Sequence, residues 1–557
     1  MEKARLLKLS RAVASATLPF DFNTTLRIKP FAGDIGLYQA MSGRPADEVL
    51  REKDLLNTYN GALNARGLSL LGLFERTQTM TVSLTGLIVA TSLIPMPKAV
   101  DFHDGTVATG AVKIVERKDS TIASEGYRIK IDDNGVAISA SDAAGAFYAR
   151  VTLDQLVKDG HLPCCEIEDA PKFRWRGVML DEGRHFFGKE AVKNLLDNMA
   201  KYKLNVFHWH LTEDQGWRLD IPQFPDLVRY GSVRPESASR LCRGGPDDYR
   251  GNGQKYGPYF YTKGDIKEIL DYARARHITV VPEVEIPGHV RALLAAYPQF
   301  ACRENLPRVP RLMNGVEYDV LCAGNDEAIR FMEKVYDELC DLFPGSYIHI
   351  GGDECPKERW KECPKCQSRI KKLGLKDEDE LQAWVTRHFT DYLAKKGRRT
   401  IGWDEVLAGN PGKDTIVQNW RRSKYGTDAA QRGHDVIISP VWITYFSVPQ
   451  GVEDDPFTYL SPKMRSSLSN VYAFDPLAQM PTDETKSRVL GAECCLWTEC
   501  IWNEYDLAWK TWPRALAFAE AVWTQSESPR NYAEFLKRAA VHRKKLIKSK
   551  VNCAPLE

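Results

Sequence analysis

The chain has 557 residues, 43% hydrophobic and 27% charged, with a formal net charge of +2. That is the make-up of an ordinary globular protein too long for one small core, and it supplies no basic field for nucleic acid or an anionic membrane. The 13 cysteines are odd in number and include the adjacent pairs Cys164-Cys165 and Cys494-Cys495, which argues against a disulfide framework and for reduced thiols.

Residues 1–91 carry no readable motif. The opening "MEKARLLKLSRAVASATLPF" is basic, but its apolar stretch is short and interrupted, a poor signal peptide, so the compartment stays open; export to periplasm or medium is compatible with it. The run "MTVSLTGLIVATSLIPMP" (80–97) is too short to span a bilayer and reads as a buried strand or a vestigial export segment. Residues 92–168 read as a small α+β unit. "YRIKI" and "GVAISA" have strand composition around the turn "DDNG", and "DAAGAFYARVTLDQLV" (142–157) has apolar residues at helical spacing.

From 169 to 557 the pattern alternates. Eight β-rich runs stand at 176–182, 205–211, 278–285, 347–354, 399–405, 415–420, 435–442 and 489–499. Amphipathic stretches such as "KEAVKNLLDNMAKYK", "KGDIKEILDYARARH" and "NDEAIRFMEKVYDELCDLF" separate several of them. Eight βα units predict a closed (β/α)8 TIM barrel, an α/β fold preceded here by the small α+β domain. Most runs begin apolar and end in acids, His or Trp, which places the chemistry at the C-terminal mouth of such a barrel. The segment 299–326 is a long loop of the kind that is often functional. In "CPKERWKECPKC", Cys355, Cys363 and Cys366 make only a weak zinc signal, because a closed structural site needs four ligands; the expectation is no metal and no cofactor. The basic amphipathic stretch 528–550 is expected to be a C-terminal helix packed on the barrel.

The fourth run ends "HIGGDE", placing Asp353 beside Glu354. A glycosidase ordinarily needs two carboxyl groups facing each other across a sugar, about 5 Å apart or more. Neighbours on a strand point in opposite directions and do not form such a pair. A 2-acetamido sugar removes the need, because its own carbonyl oxygen can attack the anomeric carbon. The protein then supplies one acid/base and one carboxylate to hold the amide N–H.

"HIGGDE", with "HWHLTEDQGWR", "EIPGH", "GWDE" and "CLWTE" in that order, resembles the family 20 glycoside hydrolases, the β-N-acetylhexosaminidases, over residues 172–525. The unit 92–168 resembles that family's small N-terminal domain. The resemblance implies Glu354 as general acid and then base, and Asp353 as the holder of the acetamido N–H. His289 would sit behind Glu354 with Glu213 behind the imidazole, at a position where the family often has Asp; Asp214 could share that task. Arg184 would grip the sugar's 3- and 4-hydroxyls. Trp403, Trp420 and Trp497 match pocket walls, Tyr445 the hydroxyl donor to the acetamido carbonyl, and Glu499 a residue that binds outer hydroxyls. Ser447 stands where the family commonly has Asp, which leaves the choice between gluco and galacto sugars open. His208 and His210 read as a structural pair with His210 near the pocket; a barrel zinc site is the competing reading.

The expected activity is a retaining exo-β-N-acetylhexosaminidase acting without a cofactor on glycans that carry N-acetylhexosamine, with no nucleic acid or membrane partner. A glycan-binding pseudoenzyme, a metal-dependent barrel hydrolase using His208, His210 and the cysteines, and a disaccharide-releasing member of the same family are the alternatives.

Overall fold

The computed structural model describes residues 92–110, 112–238, 250–451, 464–525 and 530–556, so the readings of residues 1–91, with most of the apolar run 80–97, lie outside the described residues. The first domain is a five-stranded sheet: β1 (Ala99–Ala108), β2 (Ile114–Lys118), β3 (Tyr127–Asp132), β4 (Gly135–Ala140) and β5 (His161–Asp169), in the order β1-β5-β3-β4-β2. β3 alternates buried Tyr127, Ile129 and Ile131 with exposed Arg128 and Lys130, the two-residue period of a strand with one face covered. The cover is helix α1 (Ala143–Leu156), opened by Asp142, whose carboxylate accepts the Gly145 N–H at 2.8 Å.

β5 ends at Asp169, which ties this sheet to the second domain. Its buried carboxylate accepts from Tyr127 Oη at 2.5 Å, Lys203 Nζ at 2.9 Å and Trp523 Nε1 at 3.0 Å. Lys203 and Trp523 belong to the barrel, so one buried anion joins both domains. Burial opposes a charge on Lys203, and Asp169 is the counter-charge that opposes the loss.

The barrel is closed and wholly parallel. Its strands are β6 (Trp175–Asp181), β7 (Val206–His210), β10 (Thr279–Glu283), β11 (Tyr347–His349), β12 (Arg399–Trp403), β13 (Ile416–Asn419), β14 (Val436–Ile438) and β15 (Val489–Leu496); a two-strand ribbon, β8 (Thr212–Glu213) with β9 (Gly216–Trp217), rises from the end of β7. All eight runs read from the sequence supply barrel strands. The main outer helices are α2 (Lys189–Lys201), α3 (Lys263–Arg274), α4 (Asp326–Leu342), α5 (Pro364–Leu373), α6 (Glu378–Lys395), α7 (Ser423–Gln431) and α8 (Arg514–Trp523). The C-terminal helix α9 (Tyr532–Lys548) packs as expected, burying Phe535, Ala539 and Leu546 and pairing Arg538 with Glu520 of α8.

Two layers fill the barrel. The lower one takes a side chain from every strand: Trp175, Val206, Val281, Tyr347, Ile401, Ile416, Ile437 and Leu490. Nearer the mouth the filling turns polar. His208 lies between Glu493 (2.7 Å) and Glu283 (2.8 Å), and Glu283 also accepts from Trp403 Nε1 at 2.9 Å and pairs with His349 at 2.8 Å. Burial disfavours a charge on His208, but Glu493 and Glu283 outweigh it and raise its pKa to about 10. Buried polar groups are tolerated when each has partners, and this lattice is the rigid floor on which the mouth is built.

Candidate active site

The adjacent acids sit where β11 is made to stop. The strand ends at His349, and Gly351 and Gly352 follow with φ of +69° and +97°. That backbone favours glycine, and a Cβ on Gly351 would lie 1.5 Å from Glu285 Oε2, so any larger residue would also have to displace the Glu285 carboxylate. This bend breaks the strand alternation, so the two neighbouring side chains turn toward one imidazole, that of His289, at different depths. Asp353 is 11% exposed and Glu354 42% exposed at the side chain. Glu354 and His289 both hold left-handed backbone, at φ of +43° and +50°, a conformation that side-chain-bearing residues keep only where the surroundings enforce it.

His289 lies between two pairs of carboxylates. Its Nε2 is 3.6 Å from Asp353 Oδ2 and 3.6 Å from Glu354 Oε2; its Nδ1 is 2.8 Å from Glu213 Oε1 and 3.4 Å from Asp214 Oδ2. Burial penalises the imidazolium, yet the charge of Glu213 and hydrogen bonds to Asp214 and Glu213 raise its pKa well above the usual histidine value. Burial likewise pushes the Asp353 carboxyl well above its usual range; His289 works against that, while Glu405, Glu354 and Glu283 add to it.

Arg184, at the end of β6, reaches Asp181 (3.1 Å), Glu213 (3.1 Å) and Glu499 (3.7 Å), with its guanidinium 5.0 Å over the Trp497 ring. Glu213 therefore anchors both the histidine and the arginine. Asp214 is fully buried; one carboxylate oxygen accepts the Arg291 N–H at 3.0 Å while the other faces His289. His210 is equally buried, its ring 3.3 Å from Asp181 and 3.2 Å from Glu285 and edge-on to Trp497. Both support the site from beneath.

Trp403, Trp497 and Tyr445 form one aromatic cluster, with Trp420 packed against it. Trp403 and Trp497 have centroids 5.6 Å apart, and Trp420 and Tyr445 lie 16° from parallel at 6.2 Å. Flat apolar walls of this kind suit the C–H face of a pyranose. Asp353 Oδ1 and Ser447 Oγ are buried with no protein partner among the described residues, polar atoms that a ligand could satisfy.

Several site acids escaped the sequence reading. Glu285 is buried and faces Asp353 and His210; burial, then Asp353 and Glu283, push its carboxyl well up. Glu405 accepts from Trp420 Nε1 at 3.0 Å and is raised to about 7 by burial and Asp404. Asp181 holds Arg184 and the Thr498 N–H. Glu285 opens "EIPGH" and Glu405 closes "GWDE", motifs already singled out for His289 and Trp403, and Asp181 stands in the run 176–182 just before Arg184. The set proposed for a metal-dependent hydrolase is not assembled: among the described residues His208 and His210 fall in different clusters of potential ligands, and neither shares one with a cysteine.

The sequence profile of the catalytic domain of glycosyl hydrolase family 20 matches residues 173–526, and that of the family's domain 2 matches residues 106–170. The chain belongs to family 20. Among its family 20 relatives is a β-hexosaminidase of Porphyromonas gingivalis, 42% identical over 435 residues, which are 75% of this chain and 53% of that protein. The chain thus spans about half the length of that relative. A β-hexosaminidase of Akkermansia muciniphila is 31% identical over 467 residues, 82% of this chain and 90% of its own length. Among solved family 20 structures, the Vibrio harveyi exo-β-N-acetylglucosaminidase in complex with N-acetylglucosamine superposes with a TM-score of 0.74 at 31% identity, covering 84% of this chain and 78% of the other. The β-N-acetylhexosaminidase of Bacteroides fragilis gives 0.71 at 31% identity, covering 83% and 97%.

Proposed function

We propose that the chain is a retaining exo-β-N-acetylhexosaminidase that removes terminal non-reducing β-linked GlcNAc or GalNAc from glycans with help from the substrate's own acetamido group. The observation that carries this reading is the pair of adjacent acids brought to one imidazole at different depths: Asp353 buried, with Oδ1 lacking a protein partner, and Glu354 half-exposed, each 3.6 Å from His289 Nε2. In this mechanism Glu354 protonates the leaving oxygen while the acetamido oxygen closes on the anomeric carbon. Asp353 accepts the amide N–H and balances the positive charge of the oxazolinium that forms. Glu354, now a carboxylate, takes a proton from water, which opens the ring on the face the leaving group left, so configuration is retained.

The other residues position these two. Glu213 keeps His289 cationic, and the imidazolium favours ionised Asp353. Arg184, fixed by three carboxylates, is suited to grip adjacent ring hydroxyls, with Glu499 beside it. In this reading Trp403, Trp420 and Trp497 enclose the sugar and the Tyr445 hydroxyl donates to the acetamido carbonyl, which their clustering with one another supports. The names of the family 20 relatives support the same reading.

The experiment is a panel of aryl β-GlcNAc, β-GalNAc, β-glucoside and β-lacto-N-bioside. Cleavage of the acetamido monosaccharides with the glucoside left intact is the expected result. Equal cleavage of the glucoside, or release of the disaccharide alone, overturns it.

A further inference from the structure

The long loop 299–326 and the segment after Glu354 meet at four cysteines. Cys302, Cys322, Cys363 and Cys366 place their sulfurs all within 4.8 Å of one another. Three of the separations are Cys322–Cys363 at 3.7 Å, Cys322–Cys366 at 3.8 Å and Cys302–Cys366 at 3.8 Å. A disulfide requires about 2.0 Å. Four thiolates around one zinc at about 2.3 Å stand at the corners of a tetrahedron whose edge is about 3.8 Å. Cys355, grouped with Cys363 and Cys366 in the sequence reading, takes no part; it is buried against Gly288, beside the acid pair.

The surroundings are arranged for an anionic cluster. Cys363 is the N-cap of α5 and Cys366 lies in its first turn, after Pro364, where the positive end of the helix favours thiolates. The Gly324 N–H points to the Cys322 sulfur. Gly324 has to be glycine: a Cβ there would lie 2.2 Å from the Lys365 carbonyl carbon and 2.3 Å from the Cys366 nitrogen. N–H donation to sulfur from a tight turn is the outer-shell support that fixes thiolate ligands.

We propose that Cys302, Cys322, Cys363 and Cys366 bind one structural zinc ion as a tetrathiolate, clamping the loop after β10 to the loop after β11. These two loops carry His289 and the Asp353–Glu354 pair. Two protein contacts run the same way between the loops, Trp360 Nε1 donating to the Leu321 carbonyl at 2.9 Å and Arg359 pairing with Asp319, while Leu321 N–H to the Pro287 carbonyl at 3.0 Å and Arg303 with Asp319 brace the first loop internally. The ion would set the distance between the two loops without touching substrate.

The test is the metal content of the full chain, purified without chelator and without metal-affinity resin. About one zinc per chain is expected. Cys363→Ser and Cys366→Ser should each cut it by roughly tenfold or more, whereas Cys355→Ser should leave it unchanged. Should the serine variants fail to fold, wild-type protein grown on cobalt serves instead, with the intense red absorption and thiolate charge-transfer bands of a tetrahedral S4 site as the expected spectrum. Wild-type protein that lacks both stoichiometric zinc and those cobalt bands overturns the proposal. So does iron in place of zinc, or mass-spectrometric evidence that these cysteines are paired as disulfides. Metal content is read without any glycoside assay, so this result and that of the substrate panel are independent.

Discussion

Glu213→Gln changes little shape and removes one charge, and that charge holds two groups. In the native site Oε1 is 2.8 Å from His289 Nδ1 and Oε2 is 3.1 Å from Arg184 Nη2. A hydrogen bond to a charged group contributes about 1.5–3 kcal/mol and a neutral one about 0.5–1.5, so the His289 contact loses about 1–2 kcal/mol; the Arg184 contact is an ion pair without hydrogen-bond geometry, and its lost attraction is taken as about the same size. If both losses are felt in the transition state, about 2–4 kcal/mol, kcat/KM falls by roughly 30- to 1,000-fold. The pH profile separates the two contacts. Asp353 acts as the carboxylate, and its raised pKa puts the acid limb of kcat/KM above the ~3.9 of an ordinary Asp, with activity lost as pH falls through it. Without Glu213 the imidazole of His289 loses its largest support and holds its proton less firmly, with Asp214 and Asp353 still favouring the charged form. Asp353 loses to the same extent the cation that favours its ionised form, and the acid limb moves to higher pH. The Arg184 contact shows as a rise in KM. Glu213→Asp keeps the charge and should restore much of the rate and the position of the limb. Hydrolysis of an aryl β-GlcNAc from pH 4 to 9 is the assay. A Glu213→Gln rate within about twofold of wild type, or an unmoved acid limb, refutes the relay.

Glu354→Gln should lower turnover of an unactivated disaccharide by about 10²- to 10⁴-fold, and that of an aryl glycoside with an acidic leaving group by less, because the latter needs less protonation; Michaelis kinetics on both substrates check this. Asp353→Asn should cost about 10²- to 10³-fold in kcat, since the lost group opposes charge that develops in the transition state. A change confined to KM would assign Asp353 to binding alone. Asp169→Asn, far from the chemistry, leaves the Lys203 ammonium buried without its counter-charge and should destabilise the fold by about 3–5 kcal/mol, read as a lower urea midpoint.

The barrel was legible because its strands are buried on both faces and read as short apolar runs, each closed by the polar residues of the mouth. The small sheet was only half legible. β3 and β4 flank a turn and one of them alternates cleanly, but β1 is mostly exposed and its pairing with β5 shifts register between Phe102 and Thr106, so no period marks it. In the site, letters at strand ends pointed to His289, Arg184 and the acid pair. Glu285 went unread because what makes it part of the site is the close approach of Gly351, a contact across strands. The sulfur cluster shows the same limit: the C-x-x-C was visible, but Cys302 and Cys322 join it only when two loops from different strands fold together, and the nearer Cys355 was the wrong third member.

The central claim is that the attacking group belongs to the molecule being cut. It is tested most directly by aryl β-glucosaminides whose N-acetyl group carries zero, one, two or three fluorines, each step weakening the carbonyl oxygen as a nucleophile. The account predicts that log kcat falls steeply and continuously along the series, while the leaving group and the rest of the sugar stay constant. A flat series would mean that a carboxylate of the protein makes the first bond, and would contradict the account.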